Sequence, residues 1–134
     1  MNSSVANASV ANWPPELLQE LERNRNNGRV GDRLLSETER VRVWSITLKP
    51  GERLPFHKHV LDYFWTVVLA SKGRSHYSSG EVVEVEYYVG ETNHLKFALG
   101  ESMMHDLENI GQTDLVFTTV EFLDSANSPL PLGE

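Results

Sequence analysis

From Gly31 to Phe122 the chain runs as short apolar segments broken roughly every 8 to 12 residues by turn residues. Many short strands must then bury one face together, which a sandwich or a closed barrel achieves, so the expected class is all-β. The alternation is clearest in EVVEVEYYV, where Val83, Val85, Tyr87 and Val89 share one face and Glu84 and Glu86 the other. Strands are expected near 30–36, 40–49, 53–59, 62–70, 74–78, 82–89, 92–98, 102–109 and 114–123. Pro50-Gly51, Ser79-Gly80, Gly90 and Leu99-Gly100 are among the turns between them. DLVFTTVEF is apolar on both faces up to Glu121, so cover on both sides is expected, with a second copy of the chain, in a homodimer, on one of them.

With 134 residues the chain makes one domain, and a chain of that length buries roughly two-thirds of its unfolded surface, enough for an interior pocket. Residues 1–12 are small and polar and are expected to be a mobile tail. Residues 13–29 hold a short helix, with Pro14 and Pro15 in its first turn, Glu16 near its positive end and Leu17, Leu18 and Leu21 as its apolar stripe. Residues 30–125 form the β domain and 126–134 a surface arm. The formal charge of −7 repels phosphate backbones, and the arginines between Arg23 and Arg42 are interleaved with Glu22, Asp32, Glu37 and Glu39, so no nucleic-acid partner is expected. There is no cysteine, which removes disulfides and thiolate chemistry. No segment has the pattern of a signal peptide or a membrane span, and the expectation is a cytoplasmic protein without a membrane partner.

Two of the five histidines sit one residue apart in GERLPFHKHVLDYFW. In a strand, His57 and His59 project from the same face with their bases about 7 Å apart and can converge on one cation. A pair at this spacing also occurs as partly exposed strand residues. His105, between Met103 and Leu107, lies on a face whose apolar neighbours turn it inward; alone it reads equally as a core histidine. Three neutral imidazoles facing one interior suit Fe, Mn, Co, Ni, Cu or Zn.

The three cohere through a resemblance to the cupin superfamily. Its first motif runs Gly, five residues, His-x-His, and here Gly51 is followed by ERLPF and His57-Lys58-His59; its second ends His, three residues, Asn, and here His105 is followed by DLE and Asn109. The resemblance covers roughly residues 40–123 and implies a small jelly-roll barrel in which His57, His59 and His105 ligate a divalent transition metal. The glutamate that follows the first motif in the family is missing: Tyr63 and Phe64 stand where it is expected, and Asp62 is one position early. Tyr63 shares the parity of His59 in an unbroken strand, so its phenol reaches the metal, a bound water or the substrate, or else it is a core aromatic with its hydroxyl at the rim. Asp62 needs a bulge to turn inward and stays in reserve as a ligand. His94 has two readings: a tight hairpin at Leu99-Gly100 sets it opposite His105, close enough to contact that ring or to serve as a fourth metal ligand, while a turn one residue longer sends it outward. His76, in the polar RSHYSSG, reads as a surface histidine.

The all-histidine set resembles the sites of diketone-cleaving and thiol dioxygenases within the cupins and implies Fe(II)-dependent oxygen chemistry on a small molecule that chelates the metal, with Tyr63 as the catalytic candidate. The run HKHVLDYFW and the ending VEFLDSANSPLPL are similar to small bacterial single-domain cupins, some labelled beta-alanine degradation proteins. A non-catalytic cupin that binds a metal or metabolite is the alternative, kept open by the missing glutamate. No G-x-S-x-G, P-loop or H-E-x-x-H motif is present.

Overall fold

The structure, a computed structural model, describes residues 2–7 and 10–132. In chain order its elements are β1 (Asn2–Asn7), α1 (Pro15–Arg23), β2 (Arg33–Glu37), β3 (Val41–Leu48), β4 (Arg53–His59), β5 (Tyr63–Leu69), β6 (Lys72–His76), β7 (Glu81–Glu86), β8 (Thr92–Leu95), β9 (Met103–Asn109) and β10 (Leu115–Phe122). They form two five-stranded sheets, ordered β1-β7-β6-β9-β4 and β2-β3-β10-β5-β8. Apart from the β2–β3 and β6–β7 hairpins, every connection carries the chain from one sheet to the other. The result is a double-sheet jelly roll whose two inner faces share one interior.

Turn chemistry produces the crossovers. Gly51 has φ +87°, which a side chain resists, and its N–H donates to the Asn109 carbonyl at 2.9 Å, tying the β3–β4 crossover to the end of β9. Asn109 is fully buried and uses all its amide valences. Its Nδ2 donates to the carbonyls of Leu48 (2.9 Å) and Thr113 (2.8 Å), and its Oδ1 accepts from Ser71 Oγ (2.8 Å) and Gly111 N (3.0 Å). That end of the barrel is packed with Ile46, Leu48, Leu54, Val67, Leu107, Leu115 and Phe117. β10 runs between β3 and β5 and turns Leu115, Phe117, Thr119 and Glu121 inward, while Val116, Thr118, Val120 and Phe122 are only half-buried. Within one chain, therefore, only its inner face is fully covered.

The segment before the barrel differs from expectation. Part of the expected mobile tail forms the edge strand β1, antiparallel to β7 from Asn2↔Glu86 to Asn7↔Glu81. Met1, Ala8 and Ser9 of that tail, and Gly133 and Glu134 of the arm, lie outside the described residues. Helix α1 ends at Arg23, because Asn24 and Asn27 leave it to donate their side-chain amides to the Phe56 carbonyl at 3.1 and 2.9 Å. Segment 13–27 lies on the outer face of β4, with Trp13 stacked on the buried Phe56 at 6.0 Å. In the arm, Asn127 accepts from Gly100 N (2.8 Å) and donates to the Val60 carbonyl (3.0 Å), holding two crossover loops together. Among the described residues no helix is long and apolar enough to cross a membrane.

Charge concentrates on that outer face. The Asp106 carboxylate, fully buried on β9, accepts from Arg53 Nε (2.7 Å), His76 N (2.6 Å) and His76 Nδ1 (3.1 Å). Arg53 also makes a two-pronged pair with Glu20 of α1 at 2.7 and 2.8 Å, and Glu20 accepts the Phe56 N–H at 2.9 Å. His76 is thus no free surface histidine but a partner of Asp106. A buried charge that loses its partner costs several kcal/mol, whereas a partly exposed pair contributes little. Replacing Arg53 by Met should destabilise the protein by about 3 kcal/mol, and Glu20→Gln by clearly less. Urea unfolding measures both; equal effects of the two variants would exclude Asp106 as the centre of this network.

Candidate metal centre

A bulge sets the key side chains of β4. Its register against β9 runs Arg53↔Glu108 and Leu54↔Leu107, then jumps to His57↔His105 and His59↔Met103. One extra residue enters at Pro55-Phe56, where proline has no N–H for the ladder. Leu54 and His57 consequently both face the interior, and Phe56 turns out toward Trp13. The bulge also leaves the Pro55 carbonyl 2.9 Å from His57 Nδ1. A carbonyl only accepts, so Nδ1 carries the proton and Nε2 of the neutral ring keeps its lone pair.

His57, His59 and His105 come together, with one ligand atom from each within 4.8 Å of the others. Their ring centroids lie 4.7 to 5.2 Å apart. Two nitrogens bound at about 2.1 Å to one ion lie at most about 4.2 Å apart, so small ring rotations suffice to close the set. Burial holds the rings in the ligating, neutral form. It pushes His57 down to about 4, and it pushes His59 and His105 well below the usual imidazole range, with mutual repulsion adding to the effect. His59 Nδ1 and His105 Nδ1, like Trp13 Nε1 on the outer face, are buried without a hydrogen-bond partner. Three neutral nitrogen donors and the unpartnered atoms among them fit a divalent transition metal.

Tyr63 lies flat on His59, with centroids 4.0 Å apart and planes 8° from parallel, and is itself stacked on Phe97. It gets there by changing sheets at Val60–Asp62, not by continuing the β4 parity. Burial raises its phenol well above the usual range, so it remains protonated. Two reserve ligands are excluded from the centre. Asp62 accepts the Phe97 N–H at 2.9 Å and does not line the interior. His94 is exposed and pairs with Phe64 on β5, because the Leu99-Gly100 turn crosses between sheets and forms no hairpin. Tyr77, unrecognised in the sequence, forms an isolated bridge with His105, and its ring lies 5.1 Å from the imidazole. Its alternation with Ser75, two residues before it in a polar run, is the one signal that pointed inward.

Beside the histidines lies a cavity of about 220 Å³. Val83, Val85 and Tyr87 of the alternating segment line it as expected, whereas Val89 is 65% exposed because β7 stops at Glu86.

No protein-family model matches the sequence, and a search of curated proteins finds no relative. The structure is similar to that of a cupin domain from Bordetella pertussis Tohama I, with a TM-score of 0.58 and 22% identity over 67% of this chain and 88% of that one. It is also similar to a conserved protein with a double-stranded β-helix domain from Klebsiella pneumoniae, with a TM-score of 0.54 and 23% identity over 75% and 76% of the two chains. Identities this low speak for the fold alone.

Glu121, on the inner face of β10 opposite Tyr63, is 3% exposed and accepts from Trp44 Nε1 at 2.8 Å. Burial pushes its carboxyl up to about 7, against the opposing pull of Trp44 and Arg42. An acid with a raised pKa holds its proton more tightly folded than unfolded. Its contribution to stability is therefore complete below pH 4.5 and is lost as pH rises through 7, a swing of about 3 kcal/mol. Glu121→Gln removes the swing, so the variant should gain on the wild type as pH rises from 4.5 to 8. Denaturant titrations across that range check it, and a stability difference independent of pH would refute the raised carboxyl.

Proposed function

The chain has the cupin fold, and on that premise we propose that it is a mononuclear metal protein in which His57, His59 and His105 hold one divalent transition ion inside the barrel. The observation that carries the proposal is the convergence of three neutral imidazoles from two paired strands, His57 and His59 buried and His105 partly so. Fe(II) is the favoured ion, and a dioxygenase acting on a small chelating molecule is the favoured activity, with both atoms of O₂ entering the substrate and no external reductant needed. A bound divalent ion supplies Lewis acidity, undiminished here because no carboxylate joins the histidines to offset its charge.

The rest is assigned to the chain's own groups. Burial of the His57 and His59 rings excludes bulk water and keeps them neutral, so each retains one unprotonated nitrogen. The Pro55 carbonyl fixes the His57 tautomer, so Nε2 is the donor atom. Tyr63, protonated and stacked on His59, orients that ring and offers an O–H to a bound oxygen atom of the substrate.

A second reading, a binding cupin without turnover, is favoured by one observation: among the described residues no carboxylate or lysine lines the cavity to serve as a general acid or base. A cytoplasmic homodimer is also part of the proposal. Its support is Leu35, Val68 and Leu69, each about half exposed on the sheet that contains β10.

Untagged protein should contain close to one metal ion per chain by elemental analysis, and His57→Ala and His105→Ala should each lose it. Metal-free wild type, or variants that retain full occupancy with a wild-type fold by circular dichroism, would overturn the proposal. Oxygen uptake by the Fe(II)-loaded protein across a panel of β-dicarbonyls, thiols and small acids separates enzyme from binder, and silence across the panel decides for the binder.

A further inference from the structure

Resting on the metal-site reading above, we propose that the cavity selects a small ring-bearing apolar molecule whose only charge is the single negative charge of its chelating oxygens, and that it rejects molecules bearing a second carboxylate.

Size is the first argument. A cavity of about 150 Å³ accommodates benzene, so 220 Å³ holds one ring with a chelating arm of a few atoms. Charge is the second. Among the described residues no Lys, Arg, Asp or Glu lines this cavity. Arg53, which lies behind the histidine strands, is committed outward to Glu20 and Asp106. A substrate carboxylate away from the metal would be desolvated with no cation to receive it, which proteins avoid by placing Arg or Lys at such points. The polar groups that do line the cavity, among them Ser75, Tyr77 and Thr119, are neutral; they orient a ligand without neutralising one.

The wall supplies the third argument. Trp65, Tyr87 and Phe117 pack edge to face in a closed trio, with centroids 5.0 to 5.6 Å apart and planes 80° to 86° from parallel. Tyr87 reaches this position only because residue 73 is glycine: a Cβ there would meet the Tyr87 ring at 2.8 Å and Leu107 at 3.2 Å. Locked aromatic walls of this kind favour a flat apolar body over a flexible polar one.

The test uses full-length Zn(II)-loaded protein and three hydroxamates with the same monoanionic chelating head but different bodies: benzohydroxamate, acetohydroxamate and the carboxylate-tailed succinyl monohydroxamate. Calorimetric titration should rank the phenyl compound about 30-fold above the methyl one, from the apolar area it buries. The carboxylate-tailed compound should fall at least about tenfold below the methyl one. Thr119→Lys, which plants a cation in the lining, should raise the carboxylate-tailed compound above the other two. A phenyl compound that binds no better than the methyl one, or a carboxylate tail that strengthens binding to the wild type, overturns the proposal.

Zinc content, read in parallel, separates the two inferences. Stoichiometric zinc with the wrong ranking sinks the selectivity and leaves the metal site standing. Absent zinc sinks the metal site, and the metal-free protein is then tested with ethylbenzene alone, where a raised melting temperature supports the apolar cavity and no shift overturns it.

Discussion

Everything distinctive about this barrel hangs on the antiparallel pairing of β4 with β9. That pairing sets His57 directly opposite His105 and His59 opposite Met103, and it joins residues almost fifty positions apart in sequence into one cluster. The local geometry comes from a single extra residue at Pro55-Phe56. Without the bulge, strand parity would place Leu54 and His57 on opposite faces, and either the core or the histidine cluster would lose its member. With it, Leu54 packs on Leu107 in the core end while the next inward residue along β4 is the first imidazole. The same bulge exposes the carbonyl that fixes that ring's tautomer.

Strands β4 and β9 separate two electrostatic worlds. On their outer side, Asp106, Arg53, Glu20 and His76 form a dense ionic network that also anchors α1. On the inner side the titratable groups are held neutral by burial: the imidazoles are pushed down, Tyr63 and Tyr87 are pushed up, and Glu121 is shifted toward its protonated form. Adjacent residues on one strand, His105 and Asp106, fall on either side of this divide simply because successive strand residues point to opposite faces. A cation placed among the histidines would meet few competing charges, and its own charge would dominate the interior.

Much of this was legible in sequence where the signal was local. Turn residues and alternation marked the strands of the barrel, and the spacing of His57 and His59, joined to the inward setting of His105, marked the cluster. What failed was non-local. The turn at Leu99-Gly100 reads from its residues as a hairpin of one length or another, whereas β8 and β9 lie in different sheets, and that choice of sheet sends His94 out to Phe64. His76 looked exposed because its neighbours are polar; its partners, Asp106 and Trp13, come from the far end and the beginning of the chain. Tyr63 lines the interior, but the continuous-strand parity that points it there in sequence does not hold, since the chain changes sheets before reaching it. The bulge was invisible because proline in a strand signals an irregularity without saying which residue will be displaced.

The orphaned Nδ1 atoms of His59 and His105 bear on why the scaffold around them is braced so heavily. A buried polar atom left unpaired costs about 1–3 kcal/mol, and two such atoms belong to rings whose centroids lie 5.2 Å apart. Collapse of the site would relieve that cost by letting the rings turn toward water or toward each other's nitrogens. Three features oppose it: Tyr63 lies flat against His59, Tyr77 backs His105, and the ionic network together with Trp13 clamps the outer faces of the two strands. Stability drawn from outside the barrel thus maintains an interior that is locally unfavourable, and an interior of that kind is a site prepared for a ligand rather than a core filled for its own sake.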